Sequence, residues 1–472
     1  MKDDYASITM KIRNQSVTGS QIRMTAKNGV QSTTVLVDNG AFQDKEGQEF
    51  PVEDYSDVSA VCLTHSHIDH SGGLANMAKQ VRVPVYATAP TNQLIIPMLN
   101  DMYNVMTMHG AKVTKEDGDA LNKLKGMRKE AKLYSKIGCG NCEFTFIDNA
   151  HILGASMVYA RALDNYRPIN VLFSGDYREE HPFIRTQGIA SFLKKNPVDV
   201  LVLESTYGNK EAHIPFSDSV SNLEEILEEG IAKGSVLLAS FSIDRTPVLL
   251  YMINQIQKAN PALAKIPVYL DGVLATKALD IYHEYESKFK CCWADIIPET
   301  FEIVKDKEHR KALQNDPTPK IIIATSGNLH GGSIVSWVCK MLPDPKATIV
   351  QSGYVAHPIG KKIFSAEEGE LLDYFGQELV VRASRKVLSG ASAHADRNGL
   401  ARLVERCLKV NPNLKVILTH GDEEAKLALK VFLSSIMRPE NIYIQGPKQH
   451  FEINKHTLAS GDILVDDDPW VA

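Results

Sequence analysis

The residues best suited to chemistry lie in one short stretch of the chain. An H-x-H-x-D-H cluster, formed by His65, His67, Asp69 and His70, directly follows the apolar residues 60–63. Alternate residues share one side of a strand-to-loop turn, so His65 and His67 point together, while Asp69 and His70 continue towards a second position. Imidazole and carboxylate ligands favour zinc, and manganese or iron stay open from ligand type alone. The cluster therefore predicts two adjacent metal positions.

Two further candidate ligands follow later apolar segments. His151 comes after residues 144–148, and Asp176 comes after residues 171–174. Taken alone, each is more often a helix cap or an ordinary polar residue of a loop. Because both follow a predicted strand, as the first cluster does, we interpret them as ligands of the same site.

Length and composition restrict the class of protein. The chain has 472 residues, enough for two to three domains, with 44% hydrophobic and 23% charged residues, as in ordinary globular proteins. No run approaches the roughly 18 apolar residues of a membrane span. The formal net charge of -5 predicts no global positive field, so a nucleic-acid site must be local.

The cysteines indicate a reducing compartment. Their number, 7, is odd and they are scattered, unlike a secreted disulfide framework. We therefore expect a cytoplasmic location. Cys139 and Cys142 form a C-x-x-C pair, which we interpret as a turn between two strands, with a metal or redox role as the alternative.

The hydrophobic pattern predicts an α/β fold that changes character along the chain. Strands with short turns fill the first 90 residues, a helical stretch runs from about residue 91 to 136, and strands return at 144–147, 171–174 and 198–203. From about Gly208, an acidic helix at 218–233 precedes strands at 236–240, 267–270, 321–325 and 348–351, with helices between them. Such alternation predicts a parallel sheet flanked by helices.

The metal-site motifs resemble those of the metallo-β-lactamase superfamily over nearly the whole chain. They are the H-x-H-x-D-H cluster, the A-H-x-x-G around His151 and the S-G-D that ends at Asp176. The resemblance implies two zinc ions, the first held by His65, His67 and His151, the second by Asp69 and His70, and both by Asp176. Asp38 matches an early aspartate of the superfamily, which supports the ligand loop without binding metal.

Three later stretches resemble motifs A, B and C of the β-CASP nucleases. They are E-S-T-Y-G from Glu204, S-A-H-A-D from Ser392 and T-H-G-D around His420. In that family an α/β domain is inserted into an αββα sandwich, which implies lactamase segments at 1–207 and 385–472 around a β-CASP domain at 208–384. The resemblance makes His420 the last ligand of the second zinc and places His394, oriented by Glu204, at the scissile phosphate. A histidine at the third motif is typical of members that cut RNA.

The expected chemistry is hydrolysis of a phosphodiester. Two zinc ions roughly 3.5 to 4 Å apart would lower the pKa of a shared water towards about 7 and clamp the phosphate. His394, whose pKa a Glu204 partner would raise above about 6.5, would protonate the leaving ribose oxygen. The predicted catalytic residues are His394, Glu204 and Asp69. Cleavage would leave 5′-phosphate and 3′-hydroxyl ends.

Substrate contacts are predicted at three residues. Arg245 lies where the family has a glycine-arginine pair and is the candidate phosphate clamp, although it could instead begin a helix and pair with Asp244. Ser392 belongs to the second of the three motifs. Ser326 lies in a stretch that matches the family only loosely. The basic residues 123–132 could contact the RNA backbone, but a solvated helix face explains them more simply.

The S-A-H of Ser392–His394 is closer to the endonuclease of the eukaryotic pre-mRNA cleavage factor than to the S-G-H of ribonuclease J, which favours endonucleolytic action. The expected partner is single-stranded RNA. About 50 residues follow His420, and no KH-like segment precedes the cluster, so we expect a minimal bacterial-type member whose RNA affinity a partner could supply. A homodimer is left open. The alternatives are a 5′-exoribonuclease, a zinc hydrolase of a small ester or nucleotide, and a non-catalytic scaffold, which would be expected to have lost ligands.

Overall fold

The structure of the protein is a computed structural model. It describes residues 6–13, 17–44, 47–49, 53–108, 110–164, 167–355, 357–446 and 449–465. The chain divides into two compact units. The first comprises the chain up to residue 181, residues 185–213 and the chain from residue 394, and the second comprises residues 182–184 and 214–393.

The described residues form strands and helices in alternating groups. The strands in chain order are β1 (Ser7–Ile12), β2 (Ile22–Asn28), β3 (Gln31–Val37), β4 (Phe42–Asp44), β5 (Gly47–Glu49), β6 (Val58–Cys62), β7 (Val85–Ala87), β8 (Arg128–Glu130), β9 (Lys136–Cys139), β10 (Cys142–Asp148), β11 (Ser156–Ala162), β12 (Ile169–Phe173), β13 (Val200–Glu204), β14 (Val236–Ala239), β15 (Val268–Asp271), β16 (Phe301–Ile303), β17 (Ile321–Ala324), β18 (Thr348–Gln351), β19 (Leu371–Tyr374), β20 (Gln377–Val380), β21 (Ser384–Val387), β22 (Lys415–Thr419), β23 (Ile442–Ile444), β24 (His450–Asn454) and β25 (Leu464–Val465). The helices are α1 (Ile68–Ser71), α2 (Leu74–Gln80), α3 (Ala89–Met108), α4 (Lys115–Met127), α5 (Ile189–Lys195), α6 (Phe216–Lys233), α7 (Arg245–Ala259), α8 (Val273–Glu284), α9 (Trp293–Ile296), α10 (Lys307–Asn315), α11 (Ile334–Met341), α12 (Pro358–Ser365), α13 (Arg397–Leu408), α14 (Glu423–Leu433) and α15 (Lys455–Ser460).

Two sheets packed face to face form the centre of the first unit. One has the strand order β25-β24-β1-β2-β3-β6-β7-β8, and the other β23-β22-β13-β12-β11-β10-β9. Alternate residues of each sheet, such as Ile8 and Met10 of β1 and Phe144 and Phe146 of β10, meet in one buried core. Burying each such side chain contributes about 1.5–3 kcal/mol. A second core joins the outer face of the seven-stranded sheet to α5, α13 and α14.

The second unit is built on a parallel sheet. Its strand order is β16-β15-β17-β14-β18-β21, and every neighbouring pair is parallel. The central strands β14 and β17 are buried along their whole length, as expected when helices cover both faces. A core around Trp337 packs α11 and the β19–β20 hairpin against this sheet. The α/β class and the sandwich with an inserted parallel-sheet domain are confirmed.

The predicted helical stretch from residue 91 to 136 is confirmed as two helices, but it is wrong from residue 128 onward. A helix runs to Met108, and a capping box at Thr114 starts α4, which ends at Met127. Residues 128–130 then pair in parallel with β7. Local helix propensity gives way there to a strand pairing with residues about 40 positions earlier in the chain. The basic residues 123–132 therefore do not share one helix face.

Smaller differences concern the limits of the inserted domain. The parallel sheet takes in β21, which ends at Val387, beyond the predicted limit of 384. The compact units meet at 213/214 and 393/394, later than the bounds that the sequence suggested. The C-x-x-C pair is confirmed as a turn, because β9 ends at Cys139 and β10 begins at Cys142, and both cysteines are free. In the part of the chain that the structure describes, no helix has the length and apolar character needed to cross a membrane.

Candidate metal centre

Several strands of the first unit end at one edge of the seven-stranded sheet. β12, β13 and β22 are parallel neighbours, and β10 runs in the same direction because β11 is antiparallel to both β10 and β12. His151 follows β10, Asp176 follows β12, Glu204 ends β13 and His420 follows β22. The H-x-H-x-D-H cluster, residues 65–70, follows β6 of the other sheet. Topology thus explains how residues far apart in sequence share one site.

His65, His67, His151 and Asp176 form a first group that could hold a metal ion. Nδ1 of His67 lies 3.1 Å from Nε2 of His65 and 3.2 Å from Nε2 of His151. Oδ2 of Asp176 lies 3.5 Å from each of those Nε2 atoms. Four ligands bound tetrahedrally to zinc at about 2.0–2.1 Å lie about 3.3–3.4 Å from one another. The spacing of this group is close to that value.

Asp69, His70, Asp176 and His420 form a second group. Oδ2 of Asp69 lies 3.5 Å from Nε2 of His70 and 3.3 Å from Nε2 of His420. Oδ1 of Asp176 lies 3.1 Å from Nε2 of His70 and 3.4 Å from Nδ1 of His420. Asp176 therefore offers one carboxylate oxygen to each group.

Two atoms of the second group are buried without a hydrogen bond. Nε2 of His70 and Oδ1 of Asp176 lie 3.1 Å apart, but their angles are not those of a hydrogen bond, and neither atom has another hydrogen-bond partner among the residues that the structure describes. A buried polar atom left in this way costs about 1–3 kcal/mol. A cation between the two atoms would satisfy both, and imidazole nitrogen and carboxylate oxygen are donors that zinc takes. The residues present therefore fit a metal.

The charges of the site point in the same direction. Burial lowers the pKa of His65 well below its usual value, and neighbouring His70 adds to this effect. Burial also disfavours protonation of His70, but the carboxylates of Asp176, Asp69 and Asp38 outweigh burial and raise the pKa of His70 well above its usual value. These carboxylates therefore stabilise a positive charge at the site. A divalent ion compensates their negative charge more fully than a protonated imidazole does.

Asp38 holds the loop that carries His65–His70 through hydrogen bonds at both of its ends. Its Oδ1 accepts from the backbone N–H of Thr64 at 2.7 Å, and its Oδ2 accepts from the Thr64 hydroxyl at 2.8 Å and lies 2.7 Å from Nδ1 of His70. Asp38 has a φ of 61°, and the turn continues to Gly40, where a Cβ would lie 1.6 Å from the carbonyl oxygen of Asp69. Only glycine permits that approach of the two loops.

Glu204 and His394 form a pair beside the two groups. Nδ1 of His394 lies 3.0 and 3.1 Å from the two oxygens of Glu204, which also accept from the backbone N–H groups of Tyr177 and Thr206 at 2.6 and 3.2 Å. Nε2 of His394 lies 3.9 Å from Oδ2 of Asp176. Burial acts to lower the pKa of His394, but the charges of Glu204 and Asp176 outweigh it and raise the pKa to about 9. Hydrogen bonds thus account for the position of Glu204, which needs no metal of its own.

Two contributors were missed by sequence reasoning. The side chain of Asn149 donates to the carbonyl oxygens of Ser174 and Asp176 at 3.2 and 2.6 Å and accepts from the N–H of His151 at 3.0 Å, so it joins two ligand loops. The hydroxyl of Thr206 lies 3.1 Å from Nδ1 of His420. Thr206 belongs to the motif that begins at Glu204, and Asn149 directly follows β10, so both could have been singled out.

The three predicted substrate residues lie in the second unit. Arg245 begins α7 directly after Asp244, whose carboxylate accepts from the Tyr282 hydroxyl at 3.0 Å. Ser326 follows β17 at its carboxyl end and donates to the carbonyl oxygen of His330 at 3.0 Å. Ser392 is the last but one residue of the second unit. The helix start that was the alternative for Arg245 is therefore observed.

Known protein families match most of the chain. A β-CASP domain model matches residues 246–363, and a model described as a Zn-dependent metallo-hydrolase RNA specificity domain matches residues 378–444. A model of the anti-Pycsar protein Apyc1 matches residues 24–226, which include the H-x-H-x-D-H cluster. Fold and site thus define a metal-dependent hydrolase of the metallo-β-lactamase fold.

Individual relatives agree with this class. A ribonuclease of Thermus thermophilus is 30% identical over 418 residues, which are 85% of this chain and 90% of the relative. Transcription termination factor FttA of Methanosarcina mazei is 29% identical over 385 residues, 78% of this chain and 59% of the relative. The factor of the same name from Methanococcus maripaludis is 28% identical over 425 residues, 86% of this chain and 65% of the relative. The chain thus spans less than two thirds of the length of these two termination factors.

Among solved structures, a protein of unknown function from Enterococcus faecalis aligns with a TM-score of 0.55 and 12% identity, over 95% of this chain and 100% of that chain. This likeness concerns the fold alone. On its identity and coverage with the Thermus ribonuclease, together with the β-CASP match, the chain belongs to the β-CASP nuclease family of the metallo-β-lactamase superfamily. The resemblance to the family is confirmed, whereas the preference for the cleavage-factor endonuclease over ribonuclease J stays a prediction.

Proposed function

We propose that this protein is an endoribonuclease that holds two zinc ions and hydrolyses single-stranded RNA to 5′-phosphate and 3′-hydroxyl ends. The observation that carries the proposal is the position of Asp176, which offers one oxygen to each of two ligand groups and lies 3.9 Å from Nε2 of His394. The ligands we assign are His65, His67 and His151 to the first zinc, Asp69, His70 and His420 to the second, and Asp176 to both.

Bound zinc supplies Lewis acidity to the scissile phosphate and makes water a stronger acid. The protein itself supplies the ligand geometry. Asp38 orients the imidazole of His70 and holds Thr64 at the start of the loop. Asn149 joins the loops of His151 and Asp176. Fixing the ligands before substrate arrives avoids the reorganisation that would otherwise slow the reaction.

His394 is the proposed general acid. Despite burial, the charge of Glu204 raises the pKa of His394, which favours the protonated imidazole at neutral pH, and Nε2 faces the proposed metal ligands. Protonating the leaving ribose oxygen from this position avoids release of an alkoxide. Glu204 keeps the proton on the ring and fixes the tautomer through Nδ1. Both carboxylate oxygens of Glu204 are used in hydrogen bonds, so its role is to position and charge His394.

RNA is the proposed substrate for two reasons. The match to an RNA specificity domain includes His420, and the relative of which this chain covers 90% is named a ribonuclease. Arg245, Ser326 and Ser392 are proposed as contacts to the RNA backbone, since guanidinium and hydroxyl groups donate to phosphate oxygens. A homodimer, a cytoplasmic location and a partner that supplies RNA affinity stay predictions.

The test uses a circular single-stranded RNA, its linear 5′-labelled form and the matching DNA, each incubated with the zinc-loaded protein. We compare the parent with His394→Ala and Asp176→Ala, and use His456→Ala as the matched control, because His456 is an exposed histidine of the same unit outside the site. Cutting of the circle by the parent and the control, lost in both site variants, supports the proposal.

Other outcomes separate the alternatives. If the circle stays intact while mononucleotide is released from the linear RNA, the protein acts as a 5′-exonuclease and does not cut internally. If neither nucleic acid is cut while the protein holds zinc, the nuclease proposal fails, and hydrolysis of a small ester or nucleotide becomes the function to test.

A further inference from the structure

Three aromatic rings of the second unit are stacked on one another. The rings of His330 and His357 have centroids 3.8 Å apart and planes inclined by 17°, and the ring of Phe375 stacks on His330 at 5.4 Å and 29°. We call His330, His357 and Phe375 the aromatic platform. Nδ1 of His357 accepts from the backbone N–H of Ile359 at 3.2 Å, which fixes the orientation of this ring.

The platform lies where ligands usually bind in a parallel sheet. His330 follows the carboxyl end of β17, and His357 follows that of β18. Both strands flank β14 in parallel, so their carboxyl ends share one edge of the sheet. Ligands of open α/β sheets bind beyond this edge.

Phe375 has an unfavourable backbone conformation, in the left-handed region. It occupies, with Gly376, the two-residue turn of the β19–β20 hairpin, and φ is 53° at Phe375 and 77° at Gly376. Turns with two positive φ values favour asparagine or aspartate before glycine, and a bulky aromatic residue is an outlier there. The side chain is nevertheless 43% exposed to solvent. Neither turn formation nor core packing explains the choice, and such outliers cluster where ligands bind.

The β19–β20 hairpin is hydrogen-bonded to the loop that carries His330. Tyr374 is 1% exposed, and its hydroxyl donates to the carbonyl oxygen of Leu329 at 2.7 Å. Leu329 directly precedes His330, so one buried hydrogen bond fixes Phe375 relative to its stacking partner. This hydrogen bond therefore supports the stacked arrangement of the platform.

Tyr354, in the segment that follows β18, adds a further ring, and Lys361 of α12 adds a cation. Nζ of Lys361 lies over the ring of Tyr354 at 5.6 Å from its centroid, and Tyr354 is 60% exposed. Exposed rings beside lysines suit a ligand that combines flat bases with phosphates. An aromatic residue of a partner protein would use the rings but would not need the cation.

We propose that the aromatic platform binds an unpaired base of single-stranded RNA by stacking on Phe375. This inference rests on the proposed function, because it supplies a base-binding position on the second unit for the same substrate. Stacking of a base on an aromatic side chain is tolerant of sequence, so the platform would add affinity without selecting a base.

The test separates the ring of Phe375 from the stability of its turn. Phe375→Asn removes the ring and puts a residue that the turn favours at its first position, so we expect the thermal midpoint to stay the same or rise. Leu371→Asn is the matched control, since Leu371 is a 58% exposed apolar residue of the same hairpin. Both changes are made in the His394→Ala background, and binding is measured by quenching of a 2-aminopurine RNA and by its anisotropy. A second oligonucleotide of equal length with abasic residues keeps the phosphates and removes the bases.

We expect Phe375→Asn to weaken binding of the 2-aminopurine RNA about tenfold and to abolish quenching, while Leu371→Asn binds as the parent does. The abasic oligonucleotide should bind equally to all three proteins. Unchanged RNA binding in Phe375→Asn would overturn the platform as an RNA site and leave a protein aromatic group as its occupant. The proposed function would still stand in that case if the protein with intact His394 cuts RNA. Equal losses for both oligonucleotides with a lower thermal midpoint would reduce Phe375 to a structural role. Failure of the protein with intact His394 to cut RNA would instead refute the proposed function itself.

Discussion

Glu204 holds His394 through both of its carboxylate oxygens, 3.0 and 3.1 Å from Nδ1, and accepts the backbone N–H of Tyr177 at 2.6 Å. Tyr177 directly follows Asp176, so one buried carboxylate fixes the proposed proton donor relative to the ligand shared by both metal groups. The same carboxylate sets the charge of His394. Geometry and protonation are therefore coupled at a single residue.

Replacing Glu204 by Gln should shift the pH profile. Burial disfavours the protonated imidazole of His394, and the charge of Glu204 is the main influence that raises its pKa to about 9. A raised pKa means that the donor is protonated below that pH and lost as the pH rises through it. Without the charge, the alkaline fall of kcat should move down by about one pH unit or more. The measurement is kcat from pH 5.5 to 9.5, with zinc content checked at each end. A uniform loss of activity with the alkaline fall unmoved would contradict this role of Glu204.

Replacing Asp38 by Asn should weaken one metal position more than the other. Asp38 uses both oxygens as acceptors for Thr64 and lies 2.7 Å from Nδ1 of His70, whereas an amide has one acceptor oxygen. Partners of this kind typically change metal affinity by about 10- to 100-fold. Zinc release to a competing chelator should therefore show one step moved by that factor and one step little changed. Two unchanged steps would show that Asp38 does not act through His70.

Removing zinc should lower stability reversibly. Asp38, Asp176 and Glu204 are buried and Asp69 is partly buried, and a protonated His70 compensates the charge of these carboxylates only in part. A ligand that binds only the folded protein stabilises it by about 2.7 kcal/mol at 100 times its Kd. The thermal midpoint should fall after chelation and return with zinc, with about two zinc ions per chain by elemental analysis. A midpoint that is insensitive to chelation would contradict the proposed metal centre.

The candidate site was largely predictable from sequence because its ligands belong to local motifs. The types and spacing of His65, His67, Asp69 and His70 form a motif that the sequence shows directly. The strands before His151 and Asp176 are apolar enough to be recognised. What sequence could not give depends on partners distant in the chain. Residues 128–130 pair with β7 although their local pattern is helical.

The same reason explains the features that were missed. Asn149 matters only because the loops after β10 and β12 meet, which requires the order of the strands in the sheet. The stack of His330, His357 and Phe375 brings together three separate connections of the second unit. No spacing rule in the sequence relates those positions. Single histidines and a phenylalanine in loops therefore gave no signal.

Replacing Asn149 by Ala should loosen two ligand loops at once. The change leaves the carbonyl oxygens of Ser174 and Asp176 and the N–H of His151 without their buried partner, at a cost of about 1–3 kcal/mol for each unsatisfied group. Both stability and zinc affinity should fall, because His151 and Asp176 lose their common anchor. Denaturant unfolding and chelator competition measure the two effects.

Asn254→Ala provides the comparison for Asn149→Ala. Asn254 is equally buried, at 2% exposure, and donates to the carbonyl oxygen of Ala294 at 3.0 Å within the second unit. This variant should lose stability for the same physical reason but keep the zinc affinity of the parent. If Asn149→Ala likewise lowered stability but kept the zinc affinity of the parent, Asn149 would support the fold without positioning the ligands. A selective loss of zinc affinity in Asn149→Ala would show that its hydrogen bonds hold the loops in their metal-binding conformation.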